Sequence, residues 1–206
     1  MSDLYYSIAS SVSDIIYKEK GSKFIGYAYP VSSEEDIELA LANVKQKQHK
    51  ARHFCYAWQL EKDYSRFRAN DDGEPSNSAG MPIFGQLQAF NLTNCLVVVV
   101  RYFGGTKLGV GGLISAYKTT AQQTLQQAKI TKHTIDEQFK IQCNYDLINV
   151  VMRYIEEDNL QLIHQNLEMN CNFTLGVRKK EFNRVIQKFQ KVYGLDVKHP
   201  SLEKEG

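Results

Sequence analysis

The sequence predicts an α+β protein of two domains. Three observations carry this. Strand-like segments of period two alternate with segments of helical period through the first part of the chain. A continuous apolar run, "CLVVVVRYF", leads into a glycine-rich loop and then a helix. Past a polar stretch near residue 130, the last 70 or so residues fall into a strand, helix, strand, strand, helix, strand order.

The elements follow in order. "KFIGYAYPV" places Ile25, Tyr27, Tyr29 and Val31 at every second position, which predicts a strand. In "SSEEDIELALANVKQKQ", Ser32 and Glu35 have capping-box spacing, and Ile37, Ala40, Leu41 and Val44 recur at helical spacing. "HFCYAWQL" alternates again, with Phe54, Tyr56, Trp58 and Leu60 on one face. "NDDGEPSNSAG" is a turn-rich loop. Pro82 suits the first turn of a helix through "IFGQLQAF". "CLVVVV" predicts a central strand buried on both faces, and a helix begins at about Leu113.

"QAKITKHTIDEQ" ends that helix. "FKIQCNY" then reads as a strand, and "DLINVVMRYIEEDN" as a helix capped by Asp146. "LQLIHQNL" and "MNCNFTLGV" read as a strand pair. "KEFNRVIQKFQKVYG" reads as a helix with Phe182, Val185, Ile186, Phe189 and Val192 on one stripe and Gly194 past its end. "LDVKHP" is a last short strand. This is βαββαβ, the ferredoxin-like arrangement. The boundary falls within residues 132–138, giving domains of residues 1–134 and 135–206.

Composition narrows the function. The chain has 206 residues, 43% hydrophobic and 23% charged, with a net charge of +2. Residues 1–132 hold 15 Lys/Arg against 12 Asp/Glu, and the remainder 10 against 11. Neither part is basic overall, so any basic surface must be local. No apolar stretch reaches the roughly 18 residues of a transmembrane helix. "MSDLYYSIAS" lacks the pattern of a secretory signal. A cytoplasmic location without a membrane partner is expected. Cys55, Cys95, Cys143 and Cys171 form no C-x-x-C pair and read as buried small hydrophobes.

Four stretches are candidates for chemistry. "RYFGGTKLGVGG" puts five of the thirteen glycines in nine positions. Between a strand and a helix it offers backbone N–H groups at the positive end of a helix dipole, with Lys107 inside the loop and Arg101 at its entry. Its spacing matches neither G-x-x-x-x-G-K-[ST] nor G-x-G-x-x-G, so it reads either as an anion site or as a structural turn. "DDGEP" holds three carboxylates that suit Mg²⁺, or a type I turn. "HKARH" spaces His49 and His53 four apart, but a helix end and a strand start separate them. His53 reads as an acid/base group or a structural histidine. "VRKKEFNR" gathers Arg178, Lys179, Lys180 and Arg184 into a basic patch or a solvated helix face.

With these stretches assembled, the sequence resembles the YigZ/IMPACT family. The resemblance rests on "KGSKFIGYAYPV", "ARHFCYAW", "DDGEPSNSAGMPI" and "VVVVRYFGGTKLGVGGLISAY", which together span residues 20–118. It implies an N-terminal two-layer α/β domain similar to domain IV of elongation factor G. The ferredoxin-like unit would resemble domain V of that factor. Eukaryotic members bind a large translational activator through an additional domain that is not found in this sequence. No established reaction comes with the family.

The family usually reads "GGLVRAY" where this chain has "GGLISAY", so Ser115 replaces an arginine. "SNSAG" replaces "SGTAG" and keeps a hydroxyl at Ser78. The implied anion- or RNA-binding set is Arg101, Gly104, Gly105, Lys107, Gly109, Gly111, Gly112 and Ser115. His53, Asp71, Asp72, Glu74 and Ser78 complete the signature face. The expected function is a non-enzymatic binding protein of the translation machinery, meeting RNA phosphate or a ribosome-associated partner. No catalytic residue, metal or cofactor is expected. The alternative is an enzyme on a phosphorylated small molecule. There the glycine loop would hold phosphate, Asp71, Asp72 and Glu74 would hold Mg²⁺, and His53 would serve as base.

Overall fold

The computed structural model describes residues 3–168 and 170–199. Its strands and helices, in chain order, are β1 (Leu4–Ile8), β2 (Val12–Glu19), β3 (Ser22–Pro30), α1 (Glu34–Lys47), β4 (His53–Leu60), β5 (Arg66–Asn70), α2 (Gly80–Ala89), β6 (Cys95–Tyr102), α3 (Gly109–Gln126), β7 (Ile130–Thr134), β8 (Asp136–Cys143), α4 (Ile148–Glu157), β9 (Gln161–Leu167), β10 (Cys171–Arg178), α5 (Phe182–Gln190) and β11 (Asp196–Lys198). Two compact units result. Tyr5–His133 form the first; Asp3 and Leu4 count with the residues from Thr134 onward in the second.

In the first unit, five strands form a sheet in the order β2-β3-β6-β4-β5, and β1 pairs with β7 in a separate ribbon. Every pairing within the five-stranded sheet is antiparallel. β6 lies in the middle, and Cys95 to Val100 are fully buried. Its alternate residues serve two cores. Val97 and Val99 join Phe24, Ala28, Cys55 and Ala57 against α2 and α3. Leu96, Val98 and Val100 join Ile25, Tyr27, Phe54 and Trp58 against α1. Helices therefore cover both faces, and this unit has three layers where two were expected. The reason lies in β3, β4 and β6: each is apolar on both sides of its pleat, and an uncovered side would stay wet.

Local details differ from the sequence reading. The N-cap of α1 is Ser33, not Ser32, and its partner is Asp36, not Glu35. The Asp36 carboxylate accepts from the backbone N–H groups of Ser32 and Ser33 and from the Ser32 hydroxyl. β2 and β3 join through Lys20 and Gly21, both at positive φ (44° and 79°), which suits a two-residue type I′ hairpin. α3 begins at Gly109, four residues before Leu113, so Gly109, Gly111 and Gly112 lie in its first turn.

The second unit is a βαββαβ sheet-and-helix unit in the strand order β11-β8-β10-β9, antiparallel throughout. Phe139, Ile141, Val151, Phe173, Leu175, Val185 and Phe189 lie in its core. Gly194 has φ 89° beyond α5. Asp146 does not cap α4: it sits inside a 3₁₀ turn, Tyr145–Leu147, ahead of that helix, and neither helix start carries a side-chain cap. The basic run of "VRKKEFNR" is neutralised locally. Arg178 pairs with Asp3, Lys179 with Glu137, Lys180 with Glu181, and Arg184 with Asp158 and Glu181. All four cations being paired, the solvated-face reading holds for this helix start.

Candidate functional site at the β6–α3 junction

Strand pairing builds the site. The register of β4 on β6 sets His53 opposite Arg101. That of β3 on β6 sets Phe24 opposite Arg101 and Lys23 opposite Tyr102. "DDGEP" follows β5 and leads into α2. The signature face thus gathers at one end of the sheet.

Within it, the three carboxylates have separate partners. Asp71 Oδ1 accepts from the backbone N–H groups of Ala79 and Gly80 at 2.9 and 2.8 Å, and its Oδ2 accepts from Asn77 N–H. Ala79 is the N-cap of α2 and gives no side-chain cap. Asp71 therefore caps that helix from a distance and faces its positive dipole end. Asp72 accepts from Phe54 N–H at 2.7 Å. Glu74 Oε1 accepts from Arg101 at 2.7 Å and from the Tyr117 hydroxyl at 2.8 Å. The turn closes with Glu74 N–H donating to Asp71 C=O, and Asp72 and Gly73 have φ 41° and 86°. Two positive φ values identify a type I′ turn, not the type I expected. Ser78, fully buried, donates its hydroxyl to Pro75 C=O.

Arg101 requires a correction. It was expected to offer charge to an anion, but its side chain is 7% exposed and pairs with Glu74, itself 4% exposed. Its NH2 group also lies 3.5 Å from the Ser22 hydroxyl, which accepts from Gly104 N–H at 3.2 Å. The guanidinium lies 5.6 Å from the centre of the Phe24 ring and 5.5 Å from that of Phe103. Its Nε is buried without a partner among the described residues. Arg101 thus belongs to the framework beneath the face.

Two neighbours of this framework, Cys55 and Tyr117, stood in the sequence only as strand and helix residues. The Cys55 thiol lies 2.9 Å from Asp71 C=O and 3.3 Å from the Tyr117 hydroxyl. Burial, aided by the nearby carboxylates, pushes the thiol far above its ordinary value. Burial first, then Cys55 and Glu74, raises the Tyr117 phenol likewise. Both stay protonated at neutral pH, so neither is an activated nucleophile or base. At His53, Nδ1 lies 3.0 Å from Asp72 C=O. A carbonyl only accepts, so Nδ1 carries the proton and Nε2 is left without a partner among the described residues.

The glycines divide by cause. A Cβ on Gly104 would lie 1.9 Å from the carbonyl carbon of Gly21, so close approach to the β2–β3 turn requires glycine there. Gly105 and Gly109 have φ 88° and 72°. At Gly111 a Cβ would meet nothing within 4 Å, and its backbone is helical. At Gly112 it would only touch Leu108 Cβ at 3.0 Å. Lys107 and Ser115 are exposed, and Lys107 has no ion-pair or hydrogen-bond partner among the described residues. Leu108, the N-cap of α3, supplies no side-chain hydrogen bond. Phe103, Val110 and Ile114 are also exposed around the junction.

Since Asp71, Asp72 and Glu74 each answer to different donors, they do not converge on one point. Among the described residues no group of three or more His, Cys, Asp or Glu is placed to hold a metal ion. A chelator is expected to leave the melting temperature unchanged. An ion present at about 100 times its Kd would add about 2.7 kcal/mol, so a clear fall in melting temperature on chelation would overturn the structural roles given to these carboxylates.

Comparison with known proteins agrees with the sequence resemblance. Residues 20–125 match the family model described as the Impact N-terminal domain. An "IMPACT family member" of Haemophilus influenzae is 34% identical over 172 residues, covering 82% of this chain and 84% of the relative. "IMPACT family member YvyE" of Bacillus subtilis is 30% identical over 179 residues, covering 87% and 82%. A solved structure described as that of a hypothetical protein aligns with TM-score 0.69 at 24% identity, covering 96% of this chain and 97% of that one; it bears on fold alone. No helix among the described residues is long and apolar enough to cross a membrane.

Proposed function

The chain belongs to the IMPACT family, and from that premise we propose that it is a non-enzymatic, cytoplasmic binding protein of the translation machinery, whose glycine-rich junction meets RNA phosphate. Likeness of its two units to domains IV and V of elongation factor G is part of the same proposal. One observation supports the anion reading above the others: the first turn of α3 is bare. It has no side-chain cap, Gly111 leaves open space where a side chain would stand, and Lys107 is exposed and unpaired. Free N–H groups at a helix N-terminus with an exposed, unpaired cation beside them suit a phosphate. Arg101 leaves the binding set, because its charge is already met by Glu74.

The experiment is a titration of wild type, Lys107→Ala and Ser115→Arg with single-stranded RNA, nucleotides and inorganic phosphate across a salt series. Lys107→Ala is expected to weaken RNA binding and lower the log–log salt slope by about 0.7, the share of one phosphate contact on a single strand. Its stability should stay within about 0.5 kcal/mol of wild type, as for an exposed loop residue. Ser115→Arg adds a cation one helical turn beyond Gly111 and should tighten binding. Equal affinity in all three proteins, or none in any, would sink the phosphate reading.

A further inference from the structure

Beside the glycine junction, and separate from the α3 N-terminus, the start of β4 and the end of β6 enclose a cavity of about 260 Å³ lined by Lys50, Ala51, Arg52, His53, Arg101, Tyr102 and Phe103. This is smaller than the roughly 300–1,000 Å³ of pockets for drug-sized ligands, which favours a single small unit. Its lining holds no carboxylate. Lys50 and Arg52 are exposed and have no ion-pair or hydrogen-bond partner among the described residues. A third cation, Lys23, lies 4.9 Å from the centre of the Tyr102 ring.

Phe103 is the unusual member. It is 57% exposed, and the Arg101 guanidinium lies over its ring. That guanidinium, fixed by Glu74, steadies the ring from one side. An exposed aromatic beside free cations is the arrangement that receives an unstacked base and its phosphate. A purely anionic ligand would have no use for the ring, and a purely apolar one no use for Lys50 and Arg52.

We propose that this cavity is a nucleotide subsite that takes one unit of single-stranded RNA, with the base on Phe103 and the phosphate between Lys50 and Arg52. The inference rests on the RNA reading above and deepens it. Phe103 runs directly into the loop that carries Lys107, so a phosphate held at the loop and the base in the cavity would belong to one strand. His53 Nε2, left open by the bond from Nδ1 to Asp72, faces no competing partner among the described residues and is available to a base edge or a ribose hydroxyl.

The test uses the full chain and a fluorescein-labelled uridine decamer, with UMP as the free-nucleotide arm. Variants are Phe103→Ala, Phe103→Trp, the Lys50→Ala/Arg52→Ala pair and Lys107→Ala. Phe103→Ala is expected to weaken decamer binding at least fivefold, the loss of one base stack, with the salt slope unchanged; Phe103→Trp should retain binding. The Lys50/Arg52 pair should lower the slope by about 0.7, the share of the one phosphate they hold. Trp58 fluorescence should be that of wild type in every variant but Phe103→Trp, whose added indole emits as well and whose fold is checked by its circular dichroism and urea midpoint. Wild-type affinity in the Phe103 and Lys50/Arg52 variants, with a loss only in Lys107→Ala, overturns the subsite and leaves the loop reading standing. Failure of wild type to bind either probe overturns both. UMP binding as tightly as the decamer, with the same dependence on Phe103, assigns the cavity to a free nucleotide and overturns its role on a strand.

Discussion

Replacing Glu74 by alanine is expected to destabilise the first unit by about 3–5 kcal/mol, the usual result of removing one partner from a buried ion pair. The carboxylate receives Arg101 and the Tyr117 hydroxyl at once. Its loss would leave a guanidinium that is 7% exposed without a counter-charge and strand a buried phenol as well. Trp58 is the chain's one tryptophan and is buried in this unit. Urea unfolding followed by its fluorescence therefore reports the first unit without interference from the second. The double variant Glu74→Leu/Arg101→Met should recover much of the loss, because it removes both charges together. If Glu74→Ala unfolds at the wild-type urea midpoint, the pair is not the internal brace described here.

Gly104→Ala is expected to destabilise the same unit at or beyond the upper end of the roughly 1–3 kcal/mol typical of overpacking. The added methyl would lie 1.9 and 2.1 Å from the Gly21 carbonyl carbon and oxygen and 2.2 Å from Ser22 N. These are backbone atoms of a tight hairpin and cannot swing aside. Gly111→Ala is the control. With helical backbone and open space around it, it should gain about 0.5–1 kcal/mol from helix propensity while impairing RNA binding. Comparing the two by the Trp58 transition separates glycine kept for packing from glycine kept for a ligand. A destabilising Gly111→Ala with unchanged RNA affinity would return that residue to a folding role.

Much of this architecture was legible in the sequence because its strands and helices are strongly patterned. The valine run could hardly sit anywhere but the middle of a sheet, and Phe182, Val185, Ile186 and Phe189 mark the buried stripe of α5. Four strands were missed, for identifiable reasons. In β2, Asp14 adopts φ 62° and the register slips between Val12 and Ile15, so the period of two is interrupted. β5 is a short edge strand with charged, exposed residues. β1 and β7 pair only with each other, and the polar residues of "ITKHT" hide its β-branched character. At the candidate site, spacing brought out the glycines and carboxylates. It gave no sign that Glu74 reaches Arg101 across 27 positions, nor that Tyr117 turns inward to meet both Glu74 and Cys55. Long-range pairing of this kind leaves no periodic trace. Phe103, Lys50 and Arg52 were passed over because exposure, not pattern, sets them apart.

The passage of Asp3 and Leu4 into the second unit has a consequence for biosynthesis. Asp3 is made before the whole of the first unit, yet Arg178, whose Nε donates to it, follows 175 positions later. At about 5–20 residues per second, its partner lags by about 10–35 s. The first unit, Tyr5–His133, is synthesised whole within that interval and has its own core to close. Asp3 and Leu4 must wait through another unit's synthesis for their place, so the second unit closes only after the whole of the first has been made.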